Sequence, residues 1–126
     1  MTGTEWAVED VVLDGKGRPK GDGDTVTLYR SRVAQLGDER YRITDVDPQP
    51  IRLVWVDTPE RGETGYAQAD RDLDEWIVAR FGRLRVVCYE SAGWDRLLGD
   101  LVDDTGASAS QYLMAERGWP AYEVKS

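Results

Sequence analysis

Ile51-Arg52-Leu53-Val54-Trp55-Val56-Asp57-Thr58-Pro59-Glu60 leads, through a short Gly-containing link, into Tyr66-Ala67-Gln68-Ala69-Asp70-Arg71-Asp72-Leu73. The two halves of this stretch have different periods. β-Branched and aromatic side chains crowd Ile51–Val56, between Pro50 and Pro59, and predict a strand. From Thr64 onward Tyr66, Ala69, Leu73, Trp76, Ile77 and Phe81 fall on one helical face, with Asp and Arg on the other. Gly82 supplies a stop. A strand that exits through proline and is followed by one amphipathic helix is the centre of the reading.

Upstream, Glu5–Leu13 is rich in Val and Trp and predicts a first strand. Asp14–Gly21 is a Gly/Pro loop outside regular structure. Thr25–Arg30 and Tyr41–Thr44 predict two more extended pieces. Arg32–Asp38 fits either a helical turn or a long hairpin. Downstream, Leu84–Tyr89 and Leu97–Val102 return to strand. Ser108-x-x-Gln111 is a capping box that opens a last helix, which ends at Gly118 with Pro120 beyond. The expected fold class is mainly β with α (α+β). It is a five-stranded barrel of the OB-fold layout, with a helix between strands 3 and 4 and a C-terminal helix. Residues 1–126 form one domain.

The composition excludes several chemistries. The chain has no histidine, which removes Ser-His-Asp triads, His-based zinc sites and every histidine base. Cys88 is the one cysteine, so neither an internal disulfide nor a thiolate metal cluster can form. Its β-like surroundings predict a buried structural thiol. Acid–base work must fall to carboxylates, Tyr, Lys or metal-bound water. The net charge of −8 counts against a protein that coats duplex DNA. Positive charge is carried mainly by Arg, with Lys only at Lys16, Lys20 and Lys125. Arg presents a planar fork suited to phosphate. No apolar run is long enough to span a membrane. The N-terminal residues lack a secretory pattern, so a cytoplasmic location is expected. No membrane partner is expected, and nothing in the sequence requires more than one chain, so a monomer is expected.

Three segments carry chemistry: Asp22-Gly23-Asp24-Thr25, Arg52–Glu60, and Arg96 after Gly93-Trp94-Asp95. Each alone has an ordinary structural explanation, as a hairpin turn, a strand exit and a surface stacking pair. Together they suggest a hard-cation site, because carboxylate and carbonyl oxygens suit Ca²⁺ or Mg²⁺. Asp24 begins one strand and Asp57 ends another, so neighbouring strands bring both carboxylates to one rim. Strand alternation predicts Arg52, Val54 and Val56 on one face, with Arg52 projecting from the strand that delivers Asp57. Glu60, past Pro59, is placed to hold a water. Arg96 approaches the mouth from the far side. Cation, two guanidiniums and a carboxylate base suffice for attack of water on phosphorus.

Gly23-Asp24-Thr25-Val26, Arg52–Glu60, Gly65-Tyr66-Ala67, Arg96-Leu97-Leu98-Gly99-Asp100 and Gly118 occur in the order found in the staphylococcal nuclease (thermonuclease) family, which this sequence resembles from about Asp22 to Gly118. The resemblance implies an OB-fold, Ca²⁺-dependent nuclease acting on DNA and RNA. It implies metal binding by Asp24, Asp57 and the Thr58 carbonyl, with Glu60 as general base. It also implies Arg52 and Arg96 on the phosphate, Trp94 against the nucleotide and, more loosely, Tyr122 on the base side. The sequence departs from the family in the Asp14–Gly21 loop, in a long Ser31–Pro50 stretch, in Asp95 beside Arg96, and in its acidity. A non-catalytic OB-fold module binding single-stranded nucleic acid or a protein segment is the alternative expectation, and a structural calcium-binding domain a third.

Overall fold

The computed structural model describes residues 3–89 and 97–121. Along them run β1 (Gly3–Val11), β2 (Gly21–Asp22), β3 (Thr25–Leu36), β4 (Glu39–Thr44), β5 (Gln49–Leu53), α1 (Tyr66–Val78), β6 (Leu84–Tyr89) and β7 (Leu97–Asp103). A second short helix, α2, begins at Ala109–Gln111 and continues as a π-helical turn over Tyr112–Glu116.

Five strands pair in the order β1-β6-β7-β5-β3, and β1 pairs again with β3, so the sheet closes into a barrel. Every pairing is antiparallel except that of β5 with β7. Closure removes most free strand edges, the usual hazard of a small β protein. The result is mainly β, a closed five-stranded barrel with two short helices, consistent with an OB-like α+β fold. β2 and β4 lie off the barrel as hairpin partners of β3.

Period-two burial lines the interior: Leu84, Val86 and Cys88 of β6 point inward while Arg85, Val87 and Tyr89 lie between them, part-buried. Val26, Leu28, Ile51, Leu53 and Leu101 join them, all at most 1% exposed. Leu73, Trp76 and Ile77 of α1 and Leu113 of α2 complete the core. Gly99 is required where β7 crosses β5 and β6, since a Cβ there would lie 2.8 Å from the Val87 carbonyl and 2.9 Å from Ile51. The Cys88 thiol is buried and free, and burial pushes its pKa up.

Several predicted boundaries move. β1 ends at Val11, two residues before Leu13, which makes a lone bridge to Pro19. Gly21 leaves the expected loop to pair with Val26. The Arg32–Asp38 question resolves as a long hairpin, because β3 runs on to Leu36 and pairs with β4. Phe81 falls beyond α1 and is exposed. Asp72 and Asp74, expected on the solvent face of α1, are buried.

At its start α2 is fixed as the capping box predicts: the Gln111 N–H donates to Ser108 Oγ at 3.2 Å. Asp100 anchors the same turn, accepting from the Ser110 N–H at 3.1 Å and from the Ser108 hydroxyl. Ser110 Oγ also reaches the Val54 carbonyl at 2.7 Å, tying α2 to the exit of β5.

Candidate active site

β3 and β5 pair with Thr25 opposite Arg52, and the Leu53 N–H donates to the Asp24 carbonyl at 2.7 Å. This register sets the Asp22-Gly23-Asp24 turn beside the end of β5. The predicted strand Ile51–Val56 stops earlier than expected, at Leu53. The Val54 N–H crosses to the Gly99 carbonyl at 2.8 Å, and Trp55 takes φ 72°, the left-handed region that a bulky residue adopts only under constraint. The Arg52–Val54–Val56 alternation therefore does not hold. Arg52 reaches Asp57 by another route: its Nη1 folds back onto the carbonyls of Leu53 and Val56, the latter at 3.0 Å. That bend turns its Nη2 toward Asp24 Oδ2 at 3.4 Å and Asp57 Oδ1 at 3.8 Å. The Thr58 N–H donates to the same Asp24 Oδ2 at 3.4 Å. Asp24, Arg52, Asp57 and Thr58 thus meet at one point of the barrel rim.

Gly23 makes that meeting possible. A Cβ at Gly23 would stand 2.8 Å from the Ala69 Cβ and 2.9 Å from Thr58 Oγ1, so only glycine lets the turn slide between α1 and the strand exit. Thr58 Oγ1 is buried and has no hydrogen-bond partner among the described residues.

Asp57 and Thr58 also line an open groove of about 860 Å³, together with Glu60, Glu63, Trp119 and Pro120. Glu60 is exposed, and its N–H donates to the Glu63 carboxylate at 2.6 Å. The Trp119 and Pro120 wall was not foreseen from the sequence, where Pro120 read only as a helix stop. It is held by a buried carboxylate. Asp72, 1% exposed, accepts from the Trp119 indole at 2.8 Å, pairs with Arg117 at 2.8 Å and accepts from Gln68 at 2.7 Å. The Asp57 N–H in turn donates to the Pro120 carbonyl at 2.8 Å. The available signal was the Asp at position 72 inside an otherwise amphipathic helix, which a helical wheel assigns to solvent. Burial alone would raise the Asp72 pKa, but hydrogen bonds from Arg117, Trp119 and Gln68 hold it below the ordinary value.

Acidic groups dominate the rim. Burial, reinforced by the neighbouring Asp24 carboxylate, raises the pKa of Asp22. Asp57 is open to solvent, its side chain 55% exposed, whereas Asp24 is 13% exposed. Among the described residues no three His, Cys, Asp or Glu side chains are gathered as a metal site. The oxygen donors on hand are the Asp24 and Asp57 carboxylates, with the Thr58 N–H on Asp24, and Arg52 balances both carboxylates. Hard oxygens of this kind suit Ca²⁺ in chemistry, and their exposure on the Asp57 side leaves room for water ligands. Of the other predicted site residues, Trp94, Arg96 and Tyr122 lie outside the described residues. No protein-family model matches the chain, and no curated protein shows significant similarity to it.

Proposed function

We propose that this chain is a calcium-dependent phosphodiester hydrolase of the staphylococcal-nuclease kind, acting on DNA or RNA. The barrel is read as an OB-fold, with α1 as the helix between its third and fourth strands. One observation carries the reading: the Arg52 guanidinium lies 3.4 Å from the Asp24 carboxylate and 3.8 Å from that of Asp57, which lines a groove together with Glu60.

In this reading Asp24, Asp57 and the Thr58 carbonyl would hold Ca²⁺, which supplies Lewis-acid polarisation of a phosphoryl oxygen when bound. Glu60, exposed in the groove, orients a water and takes its proton as the water attacks phosphorus. Arg52 shifts part of its contact from the two aspartates to a phosphate oxygen once their charge is balanced otherwise. Arg96 is assigned the second grip on the phosphate and assistance to the leaving oxygen, with Trp94 and Tyr122 against the nucleotide. Preorganised guanidinium charge lowers the cost of the negative charge that builds in the transition state.

A second reading is a non-catalytic OB-fold module for single-stranded nucleic acid or a protein segment. It is favoured by one fact: Arg52 is only 7% exposed and already engages acceptors of its own chain. Incubation of the protein with plasmid and with denatured DNA separates the two. The nuclease shortens DNA with Ca²⁺ present and stops on addition of a chelator. Binding with no loss of length in either condition overturns the hydrolase reading.

A further inference from the structure

The long hairpin β3–β4 builds a second groove, away from Asp24 and Asp57. β1 meets β3 only from Ala7 opposite Ser31, while its first residues pair with β6 instead. Beyond Ser31, β3 turns to β4. Thr4, Glu5 and Trp6 on one side and Arg32 and Val33 on the other therefore face each other without pairing, around a cleft of about 370 Å³ that Arg42 and Arg85 also line.

The guanidiniums here differ in one respect. Arg30 lies 4.0 Å over the Trp6 ring and is engaged by Asp45 at 2.9 Å and by Cys88 Sγ at 3.0 Å. Arg42 faces Glu9 at 3.4 Å and Ser31 Oγ at 3.2 Å. Arg85 donates to Glu5 at 2.8 Å and to the Asp103 carbonyl at 3.2 Å. Arg32 is also held on Trp6, 4.8 Å from the ring centroid, but its Nε is buried and has no hydrogen-bond partner among the described residues. A buried cationic N–H with no acceptor among the described residues, on a side chain that lines a cleft, is a donor in want of a partner. Three arginines against one glutamate line this cleft, in a chain whose net charge is −8.

We propose that this cleft binds a phosphate group, with Arg32 as the primary donor and Arg42 and Arg85 at its margin. The three guanidiniums come from β3, β4 and β6, so their N–H groups approach from different directions. That arrangement suits the tetrahedral oxygens of phosphate better than a planar carboxylate, which one fork fills. Trp6 keeps the Arg32 plane from rotating away, which reduces the entropy lost on binding. The proposal stands whether or not the groove at Asp57 hydrolyses anything.

The test follows the Arg Nε–Hε resonances of the ¹⁵N-labelled full chain. It is titrated with inorganic phosphate and, separately, with a short oligothymidylate in the presence of chelator, each against chloride at matched ionic strength. The Arg32 resonance is expected to shift saturably, and Arg32→Gln is expected to weaken binding about tenfold. Arg42→Gln, on the exposed strand β4, is expected to weaken it to a smaller degree without disturbing the barrel. A response to both titrants, or to inorganic phosphate alone, identifies a site for a free or terminal phosphate. A response to the oligonucleotide alone identifies a backbone contact. An Arg32 signal that moves no more than in chloride, or unchanged affinity in both variants, overturns the proposal.

Discussion

With its Nη2 3.4 Å from Asp24 and 3.8 Å from Asp57, Arg52 joins two carboxylates at a place where the chain bends out of its strand. Removing it leaves Asp24, 13% exposed, with no counter-charge among the described residues. Arg52→Gln is expected to lower stability by about 2–4 kcal/mol, measured by urea unfolding, in addition to abolishing cleavage. Glu60→Gln should separate these effects. Glu60 is exposed, so unfolding should change by no more than about 0.5 kcal/mol. In the proposed reaction its loss lowers kcat by about 10²–10⁴-fold. At this scale the sequence declared the residues but not their path. Asp24, Asp57 and Arg52 were legible as a set. The φ of 72° at Trp55 was not, because nothing local to a tryptophan favours that conformation; it is imposed by the bond from Val54 to Gly99 and by Ser110 on the Val54 carbonyl.

Elements show a similar division. β6 was legible because Leu84–Tyr89 is a run of β-forming residues, and α2 because Ser108 and Gln111 announce its start. The β3–β4 hairpin was ambiguous, since exposed strands such as β4 carry no burial period to read. α1 misled in one respect: a wheel sends every Asp to water, yet Asp72 and Asp74 point inward. Asp72 does so because Trp119, Arg117 and Gln68 give it three donors. Asp72→Ala strands the indole N–H and releases the C-terminal segment from α1. The expected cost is about 2–4 kcal/mol by thermal or urea unfolding, with a weaker apparent affinity for substrate as the Trp119–Pro120 wall loosens. Arg117→Ala, which removes one of three partners and leaves the Trp119 and Gln68 donors in place, is expected to cost less.

For the molecule as a whole, acidity sets the pH response. Burial, with the Asp70 carboxylate adding to it, pushes the Asp74 pKa up to about 6. A carboxyl raised in the folded state binds its proton more tightly there than in the unfolded chain. Its contribution is thus fully present below about pH 4 and is lost as pH rises through about 6. Asp103 acts in the opposite sense. The Thr105 hydroxyl, then Arg80 and two backbone N–H groups, hold its carboxyl well below the usual range. It stabilises above about pH 4, and that contribution fades as the solution becomes strongly acid. Asp74→Asn is therefore expected to flatten the decline between about pH 4 and 6 and to raise stability at pH 7 by on the order of 1–2 kcal/mol. The measurement is urea unfolding across that range; an unchanged slope contradicts the assignment.

In the proposed mechanism Asp24 and Asp57 share one cation at the barrel rim. Calorimetric titration of the chain with Ca²⁺ tests this most directly, using the wild type beside Asp24→Asn and Asp57→Asn, each first checked for a folded barrel by circular dichroism. The predicted result is one Ca²⁺ per chain in the wild type, with affinity lost or reduced at least about tenfold in each variant. Wild-type affinity retained by both folded variants would contradict it.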